Sequence, residues 1–109
     1  MKKLLALLIA AAFSAPALAA DAKPAAKADL AKGEATATQI CGACHSFDGT
    51  RGLPANPILA GQFPEYLVKQ LQDFKSGQRV NAIMQGFAAI LSDEDMLNVA
   101  AFYASKSAK

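Results

Sequence analysis

The apolar positions fall into groups of different spacing, and the spacing decides what each stretch can become. Residues 4–13 are an unbroken apolar run directly behind Met1-Lys2-Lys3. Leu67, Leu71 and Phe74 recur at helical spacing on one face. Pro64 can stand in the first turn of that element and Gly77 closes it, which predicts a helix from Glu65 to about Lys75. Leu97, Ala100, Ala101 and Ala104 form a second apolar face, with Phe102 and Tyr103 beside it. Ser92-Asp93-Glu94-Asp95 announces that final helix: the serine can cap, the carboxylate three residues on can return the bond, and three acids suit the positive end. A third, alanine-rich helix is expected from Leu30 towards Ile40, with Asp29 as its N-cap. It carries Gly33, which costs ~1 kcal/mol against alanine inside a helix and points to close crossing by another helix. No stretch alternates with a period of two, so the fold class is all-α.

The remaining segments are less periodic. Residues 20–28 set Lys23-Pro24 and Lys27 among alanines and hold no large apolar side chain, which predicts a flexible leader. Ser46 to Asn56 contains Asp48-Gly49, Arg51-Gly52 and Pro54, the chemistry of a loop. Gln78 to Leu91 lacks a long period, and only Phe87 to Leu91 reads as a short helical piece. There are no internal repeats.

The N-terminus changes the picture of charge and size. Met1-Lys2-Lys3, the run to Phe13 and Ser14-Ala15-Pro16-Ala17-Leu18-Ala19 make the three parts of a secretory signal, with cleavage expected after Ala19. Ser14 and Pro16 interrupt the apolar stretch, whereas a membrane span needs ~20 predominantly apolar residues. Removing residues 1–19 from the 109 leaves 90, and takes two of the 11 basic side chains, so 9 remain against 9 acidic ones. A neutral mature chain gives no electrostatic argument for nucleic acid or an anionic membrane. Ninety residues make one domain, residues 29–109 in this reading, at a size where side chains alone form a marginal core.

Cys41-Gly42-Ala43-Cys44-His45 uses both cysteines and the only histidine of the chain. Two thiols three positions apart can add to the two vinyl groups on one porphyrin edge, and the adjacent imidazole can ligate the iron; the spacing is that of a c-type haem attachment site. A disulfide-exchange motif would follow a strand in a βαβ setting, which is missing here. A structural zinc site usually takes four Cys or His ligands and the chain offers three. A structural disulfide is compatible with export but leaves His45 without a role. One covalently bound haem c is therefore the expected cofactor, and it would supply apolar surface that a small core lacks.

Further residues extend the match. Pro57-x-Leu59-Ala60-Gly61-Gln62, Tyr66-Leu67-x-x-Gln70-Leu71-x-x-Phe74, Gly77-x-Arg79-x-Asn81-x-x-Met84, Leu91-Ser92-Asp93-x-Asp95 and Ala100-x-Phe102-Tyr103 occur in this order. On these residues the chain resembles the class I c-type cytochromes, and is most similar to single-domain relatives of the periplasmic diheme cytochromes of the c-four branch. The resemblance implies a small cytochrome c fold, helices and loops wrapped around one haem. It makes His45 the proximal iron ligand and Met84 the distal one, with the Pro57 carbonyl accepting a hydrogen bond from the other imidazole nitrogen. It also matches Gly33 to the family's helix-crossing glycine, with its partner around Phe102 or Tyr103, while Ala37 stands where an aromatic is often found. Met96 is the alternative ligand, but it sits at core spacing in the last helix, whereas Met84 is expected in an irregular stretch able to fold over the haem. Tyr66, Arg79 and Asn81 are candidates for hydrogen bonds to haem edges or propionates, or are ordinary polar groups.

With both axial positions filled by protein, no small-molecule substrate reaches the iron, so the expected function is one-electron transfer and not catalysis. The expected location is the periplasm. The expected partners are redox proteins, membrane respiratory complexes or periplasmic oxidoreductases, met by a monomer. The rival readings are a haem enzyme or gas sensor with a labile distal ligand, and a dithiol oxidoreductase using Cys41 and Cys44. Lys69, Lys75 and Arg79 form a basic set that would steer partners if it borders the haem edge.

Overall fold

The computed structural model describes residues 26–108, so the expected signal and most of the leader lie outside the described residues. Among the described residues the chain is helical and has no strand.

Helix α1 spans Leu30–Thr36, and the Asp29 carboxylate caps it by accepting from the Ala31 and Lys32 amides at 3.0 and 3.1 Å. The chain does not stop near Ile40. It widens into a π turn over Ala37–Cys41 and continues as the short α2, Gly42–His45. Helix α3, Pro64–Ser76, begins with Pro64 in its first turn and ends at Gly77. Helix α4 spans Ala82–Ala89 and α5 spans Asp93–Ala104. In α5 the Ser92 hydroxyl accepts from the Asp95 amide at 3.0 Å and the Asp95 carboxylate accepts from the Ser92 amide at 2.9 Å, so the capping box read from the sequence is formed.

Helix α4 corrects the sequence reading of an irregular 78–86 stretch. Asn81 caps it, its side-chain oxygen accepting from the Met84 amide at 3.0 Å. Only Ala88 of this helix is buried and Met84 half-buried, so there is no broad buried stripe to produce an apolar period. The cap was the local signal for it.

Helix α5 runs through the centre, packed against α1 on one side and α3 on another. Met96, Asn98, Val99, Ala100, Phe102 and Tyr103 are buried. The face expected at Leu97, Ala100, Ala101 and Ala104 is only partly right, because Leu97, Ala101 and Ala104 are half-buried. A helix with neighbours on more than one side buries a wider arc than a single stripe. Leu97 and Ala101 instead line a shallow groove shared with Val68, Lys69 and Ala28.

The crossing of α1 over α5 explains Gly33. A Cβ there would lie 2.2 Å from the Asn98 carbonyl oxygen and 2.9 Å from the Phe102 Cβ. Ala37, one turn on, is fully buried in the same seam. Beyond the crossing, the Asp29 amide donates to the Asn98 side-chain oxygen at 2.8 Å. Gly33→Ala must push two helix backbones apart, and overpacking of this kind costs about 1–3 kcal/mol. The expected result is a clear drop in denaturation midpoint; a midpoint equal to that of the wild type would show that the crossing is not tight.

Candidate functional site

The π turn and α2 carry Cys41, Cys44 and His45 on one continuous bend, and all three line a cavity of about 410 Å³. A π bulge is a common way to re-aim side chains at functional sites. The loop after α2 is tied back onto the motif: the Leu53 amide and the Asn56 side-chain amide both donate to the Cys44 carbonyl, at 3.1 and 2.9 Å. That closure brings Pro57 against His45. The buried imidazole donates from Nδ1 to the Pro57 carbonyl at 3.0 Å, which leaves Nε2 unprotonated as a ligand.

Much of the remaining lining comes from the later helices. Tyr66, Leu67, Gln70, Leu71 and Phe74 of α3 line the cavity, as do Ile83, Met84 and Phe87 of α4 and Val99, Ala100 and Tyr103 of α5. Met84 therefore shares one cavity with His45. Met96 is not among the lining residues and is completely buried in the core, as its helical position suggested.

The thiols are free and half-buried. Burial pushes the Cys41 thiol up to about 11, with the neighbouring Tyr103 hydroxyl acting in the opposite direction. Such a thiol stays protonated at neutral pH, the reverse of what a disulfide exchanger needs. Among the described residues no group of three His, Cys, Asp or Glu converges to hold a bare metal ion. Two thiols on one wall, an oriented imidazole beside them, a thioether sharing the cavity and mostly apolar surroundings instead suit a flat, largely apolar macrocycle with a central metal.

Tyr66, Arg79 and Asn81 all line the cavity. Arg79 is held there by two contacts, its guanidinium 4.6 Å from the centre of the Phe74 ring and its Nη1 donating to the Gln70 side-chain oxygen at 2.6 Å. The side-chain oxygen of Asn81 is used as the α4 cap. Lys69 and Lys75 do not line the cavity: Lys69 pairs with Asp73 at 2.6 Å, and Lys75 donates to the Leu91 carbonyl at 2.5 Å. Of the expected basic set only Arg79 borders the site.

Two features were not legible in the motif. Ser46, directly after His45, has φ 62° and ψ 160°, a region costing about 1–3 kcal/mol for a residue with a side chain. Its hydroxyl donates to Asp48 and accepts from the Arg51 amide, at 3.0 and 3.1 Å. The Asp48 carboxylate also accepts from the Thr50 hydroxyl and amide, and these bonds hold it down to about 2, below its ordinary 3.8. A depressed folded-state value means the stabilisation is full above the ordinary value and disappears as pH falls from there towards 2. Asp48→Asn is therefore expected to lose stability less steeply than the wild type between those limits in denaturant titrations. The effect is small, because Asp48 is at the surface. Parallel acid profiles would show that Asp48 plays no part.

Comparison with known proteins agrees with this chemistry. The family profile described as cytochrome c oxidase, cbb3-type, subunit III matches residues 28–102. The chain belongs to the class I c-type cytochromes. It is 46% identical over 78 residues to cytochrome c4 of Pseudomonas aeruginosa, covering 72% of this chain and 38% of that protein. It is 50% identical over 66 residues to the thiosulfate dehydrogenase electron acceptor of Stutzerimonas stutzeri, covering 60% and 31%. The crystal structure of reduced recombinant cytochrome c4 from Pseudomonas stutzeri superposes with a TM-score of 0.69 at 37% identity, covering 76% of this chain and 48% of that one. The chain thus spans less than half the length of these relatives. Its fold is the small all-α cytochrome c fold, and the cofactor of this class is haem c.

Proposed function

We propose that the protein is an exported, periplasmic monohaem electron carrier, with Cys41 and Cys44 bearing the haem, His45 and Met84 ligating its iron, and Pro57 orienting His45. The observation that carries the reading is the Nδ1 bond from His45 to the Pro57 carbonyl inside a cavity that Cys41, Cys44 and Met84 also line. When bound, haem c supplies a one-electron couple between two iron states. The residues do the rest. Pro57 fixes which imidazole nitrogen faces the metal and strengthens it as a donor. Met84 offers a soft thioether that favours the reduced metal, and the apolar wall disfavours the extra positive charge of the oxidised state. His45 and Met84 would both hold the iron and leave it no open position for substrate, which favours a carrier over a haem enzyme or gas sensor. The relative named as an electron acceptor supports the same role. No helix among the described residues is long and apolar enough to cross a membrane.

The test is an intact mass and an absorption spectrum of the protein expressed with export. The expected mass is the chain from Ala20 plus one haem, and the expected spectrum is six-coordinate and low-spin in both oxidation states. A bare polypeptide mass would reject the haem reading, and a high-spin or five-coordinate spectrum would favour the enzyme or sensor.

Partners are redox proteins, and they meet an apolar surface instead of the basic set Lys69, Lys75 and Arg79. Val80 to Leu91 carries no charged residue, Val80, Ile83 and Ile90 are 89%, 68% and 67% exposed, and Ile83 lines the cavity. Electron self-exchange between two copies is then expected to change by no more than about threefold from low to high salt, where charge-steered encounters change 10–10³-fold. NMR line broadening of mixed oxidised and reduced samples measures this rate. A steep salt dependence would return the docking role to the charged side chains.

A further inference from the structure

Tyr103 ties α5 to the end of the attachment motif. It is 2% exposed, and its hydroxyl donates to the Ser46 carbonyl at 3.3 Å, immediately after His45. Cys41, at the other end of the motif, packs against the buried cluster to which Tyr103 belongs. Its ring rests on Gly49, where a Cβ would come within 2.6 Å of it, and its backbone carbonyl accepts from the Gly61 amide at 3.0 Å. Gly49 in turn accepts from the Leu59 and Ala60 amides, at 2.9 and 3.1 Å, just beyond Pro57.

The polar tip of a buried tyrosine normally has a partner, and this one finds it at the Ser46 carbonyl, on the residue that follows His45. Ser46 occupies a conformation that glycine adopts freely and serine does not. Something must compensate, and the bond to its carbonyl is anchored in the most buried helix of the molecule.

We propose that the Tyr103 hydroxyl is the positioning group of the attachment motif, holding the Ser46 carbonyl so that His45 keeps its aim at Pro57. The assignment rests on the haem reading above. Tyr103 is a positioning residue in this role, acting on the iron through Ser46 and His45.

The experiment compares the wild-type holoprotein with Tyr103→Phe, Ser46→Gly and the double variant, using intact mass, reduction potential and the hyperfine-shifted haem methyl resonances in NMR spectra. Tyr103→Phe is expected to retain one haem and, because the turn behind His45 loses its brace, to shift both the reduction potential and the haem methyl resonances. In the Ser46→Gly background the same change is expected to produce smaller shifts, because glycine needs no help to hold that turn. A lower denaturation midpoint with potential and resonances unmoved would make Tyr103 a packing residue and overturn the assignment. So would equal shifts in the two backgrounds. If Tyr103→Phe fails to accumulate, the wild type decides: a slowly exchanging Tyr103 hydroxyl proton close to Ser46 supports the assignment, and a freely exchanging one overturns it. A bare polypeptide in the wild type would reject the haem reading and the assignment with it, whereas haem in all four proteins with unmoved signals rejects the assignment alone.

Discussion

Replacing both Cys41 and Cys44 with alanine is expected to yield a chain that carries no covalent haem and does not hold its fold. The reason lies in the proportions of the molecule. The buried cluster consists of Ala37, Leu67, Val99, Ala100, Phe102 and Tyr103, two of them alanines, and Leu67, Val99, Ala100 and Tyr103 of it face a cavity of about 410 Å³. Without its filler this cavity leaves its mostly apolar lining exposed to water, at ~25 cal/mol per Å² of apolar surface. Whole domains are stable by only about 5–15 kcal/mol. The covalent bonds therefore matter for folding as much as for retention, since they keep the filler in place at any concentration. Far-UV circular dichroism of the double variant should show most of the helix lost, while each single variant keeps one attachment and a weaker fold. A double variant with wild-type helicity and a sharp thermal transition would show that the polypeptide closes the cavity unaided.

Met84→Ala is expected to abolish the sulfur-to-iron charge-transfer band, lower the reduction potential and raise the affinity for added cyanide or imidazole by at least about tenfold, or ~1.4 kcal/mol. The polypeptide would then offer no thioether at that wall of the cavity, and an exogenous donor would meet no competitor. Met96→Leu is the control. Met96 is completely buried in α5 and away from the cavity, so a leucine of similar volume should cost less than ~1.5 kcal/mol and leave the band in place. The opposite pattern, with the band lost in Met96→Leu and kept in Met84→Ala, would reverse the ligand assignment.

Local chemistry in the sequence determined the covalent motif, the caps at Asp29 and Ser92, the Pro64 start and Gly77 stop of α3, and the cavity-facing Leu67, Leu71 and Phe74. Each depends on residues within one or two turns of one another, so each can be read without knowing where the chain goes next. Gly33 is intermediate: its cost within a helix announced a close crossing, but the backbone it meets, at Asn98, is set by how α1 lies on α5.

Tertiary structure alone decided the rest. Helix α4 is short and mostly exposed, so the apolar residues of 80–91 carry no period that could have revealed it, and Met84 came to its wall from a helix instead of a loop. The buried arc of α5 is wider than its alanine face because two helices pack on it. Lys69 and Lys75 are near Arg79 in sequence, yet one turns to Asp73 and the other to the Leu91 carbonyl, leaving Arg79 alone at the cavity. The hydroxyl of Tyr103 meets Ser46 across 57 residues of chain. Side-chain partners at that separation are chosen by the packing of whole helices, and no local pattern encodes them.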